Sequence, residues 1–529
     1  MLGLSCCNGW TLHRLSRGLG MARTPNILIL MADQMTAGAL PAYGNRVALT
    51  PHMDRLAGQG VVFESAYCNS PLCAPSRAVF MSARLPSETG AYDNAAEFSS
   101  QMPTFAHYLR RAGYLTVLTG KMHFCGPDQL HGFEERLTTD IYPADYGWTP
   151  DWQRPDVRPD WYHNMDSVAF AGRCVRTNQI DFDEEVVFSA RQRLFDIARG
   201  SDKRPFLMVV SLSHPHDPFT IPDPWWSRYD GAAVDMPRVC RGDVADDPHT
   251  RRIRHVCATE AQPVTEAQVL AARRAYYGAC SFVDDQVGTL LATLRDTGME
   301  RDTVVILLAD HGEMLGERGL WYKMSFFEPA CRVPLIVHAP GLFAAGRRAE
   351  PVSLADILPT LAEIAGDGRA PDYATPLDGH SLLPSLSGAG EEHDVLGEYL
   401  AEGAVAPVVL LRRGMHKFVH SPGDPDQLYD LQADPDELVN RAADPALHGI
   451  AASLRAGVAR RWDLARLHAD VLASQRRRRL VADALRHGAQ TSWDHQPVRD
   501  ASRLYMRNHV KLDDLEAAAR FPRVGASTV

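Results

Sequence analysis

From Pro25 onward the chain alternates short, unbroken apolar runs with longer stretches of helical period. The runs Asn26–Ala32 (NILILMA), Leu115–Thr119, Phe206–Ser213 and Thr303–Ala309 show no in-and-out alternation, as expected of strands buried on both faces. Residues 265–295 read as one amphipathic helix, opened by Thr265 and Glu266 and closed near Gly298. A strand then follows that helix at Thr303. The pattern predicts an α/β fold, with a large mixed, mostly parallel sheet sandwiched by helices.

How the four runs end matters more than how they begin. Asp33 follows the first, Gly120, Lys121 and His123 the second, His214 and His216 the third, Asp310 and His311 the fourth. Open α/β sheets bind ligands beyond the carboxyl ends of their strands, where loops from neighbouring strands converge. One such cluster could be a strand cap; four together predict one shared, metal-capable site.

The texture changes after about residue 393. Val408–Arg412 and His416–His420 flank Gly414 as a hairpin, followed by Leu428–Leu431 (LYDL) and a charged helix near Asp434–Asn440. The division expected is an extension over residues 1–22, a catalytic unit over 23–392, a smaller antiparallel-sheet subdomain over 393–475 and an extended C-terminal tail over 476–529. That tail begins with an Arg-rich helix at Arg476 and carries Trp493, Tyr505 and Met506; aromatics of this kind usually wrap a domain or a neighbouring subunit. Residues 229–263 are polar, without periodicity, and read as an inserted surface loop.

At 529 residues the chain is long enough for about two to four domains. Charged residues make up 23%, and no apolar run approaches the roughly 20 residues of a membrane span. The net charge of -10 argues against nucleic acid as a main partner. Ten scattered cysteines form no C-x-x-C pair, which points to a reducing compartment with no structural zinc. The first twenty residues lack an apolar secretory core, so a cytoplasmic location is expected, with Met21 as an alternative start.

One cysteine stands apart. In Pro71-Leu72-Cys73-Ala74-Pro75-Ser76-Arg77, Pro75 suits a first helical turn, which places Cys73 at a helix N-terminus near Arg77. That setting lowers a thiol pKa and attracts an anion.

These residues carry a resemblance. Cys73-Ala74-Pro75-Ser76-Arg77 resembles the signature of the sulfatase family, within the alkaline phosphatase superfamily, whose cysteine matures to formylglycine. Gly113-Tyr114-Leu115-Thr116 through Gly120-Lys121-Met122-His123 is similar to its second signature. Asp310-His311-Gly312-Glu313 with Lys323 resembles its second metal segment, and Tyr429-Asp430-Leu431 with Asp434-Pro435, Glu437 and Asn440 its small C-terminal sheet. Two positions depart: Ala83 stands where Gly is usual, and Gln34 where many members have a second metal-binding Asp.

The resemblance implies an alkaline-phosphatase-like fold and a divalent metal held by Asp33, Cys73, Asp310 and His311. Carboxylate oxygens favour calcium, with magnesium or manganese as alternatives. It further implies that Arg77, Lys121 and Lys323 neutralise the sulfate group. His216, or failing it His214, would protonate the leaving alcohol, while His123 would take a proton from the second hydroxyl of hydrated formylglycine. A formylglycine-generating maturation enzyme is the implied partner. Lys323 could instead be a surface lysine.

Residues 140–167 hold six aromatics, six aspartates and four prolines. Aromatic faces beside carboxylates are what a quaternary ammonium ion needs; a packed loop is the alternative. Asn69–Arg77, Asp93–Phe98, Trp161–Asn164 and Trp493-Asp494 resemble the branch of the family that acts on choline O-sulfate, in which the tail reaches a neighbouring subunit of a homo-oligomer, a dimer or tetramer. Trp148, His163, Asn94 and one of Glu398 or Glu402 are expected to hold the trimethylammonium group; Glu398 and Glu402 share a face if that segment is extended. An aryl sulfatase or a phosphodiester or phosphonate monoester hydrolase on the same scaffold is the alternative, and a silent binding protein with unmodified Cys73 a further one.

Overall fold

The computed structural model describes residues 24–489, 491–507 and 509–522. The extension expected over residues 1–22, with Met21, lies outside them. Asn26–Ala32 runs at the centre of an eight-stranded sheet, parallel to Phe206–Leu212 on one side and Thr303–Ala309 on the other. Leu115–Gly120 and Glu135–Arg136 extend the sheet beyond Phe206–Leu212, again parallel. Past Thr303–Ala309 come Leu335–His338, Val61–Phe63 and Gly346–Arg348. Only Leu335–His338 runs against its neighbours, so the sheet is mixed and mostly parallel, as the apolar runs predicted.

The central strands are unalternating because neither face meets water: Ile27 to Ala32 and Val304 to Ala309 are all buried. Each buried Val, Leu, Ile or Met side chain among them contributes about 1.5–3 kcal/mol. Helix Asn178–Arg199 packs on Glu266–Asp296 and on the Leu115–Gly120 strand, while Cys73–Ser82, Phe105–Arg111 and Ile357–Ala365 form a second group. The long helix starts where expected, with Thr265 Oγ1 accepting from the Gln268 N–H and Gln268 reciprocating. Val395–Tyr399, Val408–Arg413, His416–Ser421 and Asp424–Asp430 make the small antiparallel sheet. Among the described residues, no helix is long and apolar enough to cross a membrane.

Three expectations are corrected. The insert over 229–263 contains a helix, Pro248–Val256, capped by Asp247 with Pro248 in its first turn; its buried face is mostly polar, so periodicity hides it. No helix forms at Asp434–Asn440, because the Asp434 carboxylate takes the N–H groups of Leu438 and Val439 into a turn. The Arg-rich helix begins at Leu464 rather than 476, with Asp463 as its cap. Ala83 ends the Cys73–Ser82 helix at φ 55°, the left-handed position where Gly is usual, a choice that costs on the order of 1 kcal/mol.

Candidate active site

Four adjacent parallel strands end on one edge of the sheet, and their following residues meet there. Gly120 makes this possible for Lys121: at φ +99° a Cβ on it would fall 1.9 Å from the Ser211 carbonyl oxygen. That close approach lets the Lys121 N–H donate to the same carbonyl at 3.0 Å.

Cys73 is the first residue of helix Cys73–Ser82. Its Sγ lies 3.2 Å from His311 Nε2, 3.7 Å from Lys121 Nζ and 4.0 Å from Asp33 Oδ1. The next N–H, of Ala74, donates to Asn94 Oδ1 at 2.9 Å. One turn on, Arg77 is fully buried and spans the two strand-end carboxylates, with Nε 2.8 Å from Asp310 and Nη2 3.2 Å from Asp33. Its Nη1 donates to the Lys121 carbonyl and to Ser211 Oγ. The Lys121 ammonium pairs with Asp33 and lies 4.2 Å over the Tyr142 ring.

The charges shape one another. Burial alone would raise the Cys73 thiol, but Lys121, Lys323 and His311 outweigh it and hold the pKa well below the ordinary thiol value. Burial also opposes ionisation of Asp310, yet Arg77 and His311 keep its carboxyl low. Lys323 is buried rather than a surface lysine. It donates to Gln34 Oε1 at 2.5 Å and lies 2.9 Å from His216 Nε2.

The two histidines after the third strand part company. His214 Nδ1 lies 2.6 Å from Asp183, which also caps the Ser213 and His214 N–H groups, and its ring packs on Phe282. His216 faces the cluster, oriented by the Asp217 carbonyl 2.8 Å from Nδ1. His123 stands against Tyr142 and Trp148 with both ring nitrogens buried.

Around the mouth, Asn94, Tyr142, Trp148 and His163 are half-buried. His163 stacks on Tyr322 at 4.3 Å, and burial together with Lys323 pushes its pKa down to about 3, which leaves it neutral. Glu398 is not among them. Its carboxylate accepts from the Ser87 N–H and Oγ and from Trp462 Nε1, at 2.6–2.7 Å. The strand stops at Tyr399, so Glu398 and Glu402 do not share a face. Glu402 feels Asp93, Lys323 and Cys73; burial and Asp93 raise its pKa to about 7.

The sequence marked Gln34 only as a departure, without the contacts that its amide makes. Gln34 replaces a carboxylate with an amide that joins Lys323, Asp217 and Glu313. Asp217 was legible as the neighbour of His216. Ser211 carried no signal beyond lying in the right segment, and Tyr142 was one of the six aromatics of residues 140–167 without being singled out.

Asp33, Cys73, Asp310 and His311 each offer a ligand atom, all four within 4.8 Å of one another and all buried. Two buried carboxylates and an imidazole converging on one point fit a divalent cation.

The chain matches the family model described as Sulfatase over residues 25–367. It also matches those described as N-sulphoglucosamine sulphohydrolase, C-terminal, over 316–462 and Choline sulfatase enzyme C terminal over 469–521. It is 48% identical over 507 residues to the choline-sulfatase of Rhizobium meliloti (strain 1021), covering 94% of this chain and 99% of that one. Arylsulfatase K of Danio rerio is 28% identical over 434 residues, covering 78% of this chain and 79% of its own. The phosphonate monoester hydrolase SpPMH from Silicibacter pomeroyi shares the fold, with TM-score 0.66, 24% identity and coverage of 82% and 94%.

Proposed function

The chain belongs to the sulfatase family, and from that premise we propose that it hydrolyses choline O-sulfate to choline and sulfate. The observation that carries this reading is the junction of two environments. A cluster of three buried cations, Arg77, Lys121 and Lys323, adjoins a mouth of Tyr142 and Trp148. A sulfate ester with a quaternary ammonium at its other end is complementary to both. Homology to a choline-sulfatase over nearly the whole length supports it.

Asp33, Asp310, His311 and the Cys73 side chain would hold a divalent cation, most suitably calcium, which when bound supplies positive charge that acidifies the attacking hydroxyl. Cys73, matured to formylglycine, provides that hydroxyl from the helix N-terminus. Arg77 holds Asp33 and Asp310 in place, and Lys121 and Lys323 offset the charge gathering on the sulfate oxygens. His216 gives a proton to the leaving oxygen. His123 takes one from the second hydroxyl of the modified side chain.

We further assign the chemistry to residues 23–392, the small sheet to 393–475, and oligomer contact, as a dimer or tetramer, to the tail over 476–529. The protein would work in the cytoplasm after a formylglycine-generating enzyme has acted.

The test is the ratio of kcat/KM for choline O-sulfate to that for an aryl sulfate and an aryl phosphodiester, on protein whose Cys73 is aldehyde by mass. A preference above tenfold, about 1.4 kcal/mol of transition-state binding, is expected; aryl or phosphodiester preference would sink the choline assignment.

A pH dependence follows from Glu402. A cation stabilises its carboxylate, so KM for choline O-sulfate should fall as pH rises through about 7, whereas KM for an aryl sulfate, which lacks the ammonium, should not follow that group. Glu402→Gln should raise KM for choline O-sulfate and flatten its pH profile across the same window. Unchanged profiles in that variant would remove Glu402 from the pocket.

A further inference from the structure

The Arg476–Arg479 run takes no part in the chemistry above, yet one of its side chains is turned inward. On helix Leu464–Leu485, Arg476 and Arg477 are exposed whereas Arg478 is only 6% exposed. Its Nη1 and Nη2 donate to the two oxygens of Asp93, both at 2.7 Å, and Nη1 also to Thr149 Oγ1 at 3.0 Å. Nε is held by Ser474 one turn earlier. Asp93 is itself fully buried and accepts the Ala95 N–H.

The two partners of Arg478 are neighbours of the mouth. Asp93 precedes Asn94, whose side chain caps the Cys73 helix at Ala74, and Thr149 follows Trp148. Gln475, on the same helix, accepts the Trp152 N–H at 3.0 Å. One face of this helix thus holds Asp93, Thr149 and Trp152 together, next to Asn94 and Trp148. Among the described residues, Arg478, Asp93 and Thr149 share no hydrogen bond with Asp33, Arg77, Lys121, Asp310 or His311.

We propose that Arg478 is a positioning residue for substrate specificity. Its planar fork sets Asn94 and Trp148 relative to each other through their chain neighbours Asp93 and Thr149. The inference rests on the choline O-sulfate reading. A buried carboxylate needs its partner, and a guanidinium can reach both Asp93 oxygens and Thr149 at once where an ammonium cannot.

The experiment compares the full-length, matured wild type with Arg478→Gln, Arg478→Lys and the double variant Asp93→Asn/Arg478→Gln. For each, KM and kcat are measured with choline O-sulfate and with an aryl sulfate. We expect Arg478→Gln to raise KM for choline O-sulfate by about tenfold or more, with kcat and the aryl-sulfate KM within about threefold, the split that loss of ground-state positioning gives. Arg478→Lys should recover only part of the loss. The double variant leaves no unpaired buried charge and carries the test if Arg478→Gln does not fold; it too should show the raised KM.

Unchanged KM for choline O-sulfate in the folded variants, equal losses on both esters, or full recovery with lysine would each overturn the proposal. A wild type that prefers the aryl ester overturns the choline reading and the clamp with it. A wild type that prefers choline O-sulfate, with variants that keep its KM, overturns the clamp alone.

Discussion

Cys73→Ala is expected to lower kcat for choline O-sulfate by on the order of 10⁴-fold or more, because removing a nucleophile costs about as much as dismantling the machinery around it. No neighbour can take over. Ser76 Oγ donates to the Asp310 carbonyl, and burial raises the thiols of Cys68 and Cys125. The substitution suits a helical first turn, so the fold should survive with its thermal transition little changed. Rates on purified variant and wild type check this, together with a peptide mass at position 73. Retained turnover would place the nucleophile elsewhere and, with it, the role of the Arg77–Asp33–Asp310 cluster.

For His216→Gln the expected loss depends on the leaving group. The alkoxide of choline is strongly basic and must be protonated as it departs, whereas an aryl oxide leaves with little help. General-acid catalysis is worth about 10²–10⁴-fold, so kcat for choline O-sulfate should fall by that factor, while kcat for an aryl sulfate with a good leaving group should fall less than about tenfold. Nδ1 of His216 is held by the Asp217 carbonyl, and Nε2 lies 2.9 Å from Lys323 Nζ. Although burial opposes it, His216, His163 and Lys323 keep the Asp217 carboxyl down at about 2, so a fixed negative charge stands beside the imidazole. Lys323→Ala should reduce both esters alike, since its charge serves the sulfate end common to them. Equal losses on the two esters in His216→Gln would take the acid role away from it.

The sheet was legible because burial on both faces leaves an unbroken apolar run. The candidate site was legible because each of four such runs ends in a group that can bind a metal or an anion. Helix Glu266–Asp296 announced itself by period and cap. The helix Pro248–Val256 did not, since its buried face includes His249, Thr250 and Arg254, polar groups whose burial depends on partners elsewhere in the chain. Asp434–Asn440 misled in the opposite sense, because a carboxylate in mid-segment can close a turn as readily as it can decorate a helix.

By itself the amino-acid sequence determined the α/β architecture, the strand-end cluster of Asp33, Lys121, Asp310 and His311, and the placement of Cys73 at a helix N-terminus with Arg77 one turn on, since local period and spacing suffice for each. Only the tertiary structure placed His216 rather than His214 at the cluster, buried Lys323, assigned Glu398 to Ser87 and Trp462 rather than the mouth, and brought Arg478 to Asp93 across 385 residues. These outcomes turn on which partner a buried polar group finds. Burying such a group without a hydrogen bond costs several kcal/mol, so the partner is chosen by the packed chain as a whole and leaves no mark in the spacing of neighbouring residues.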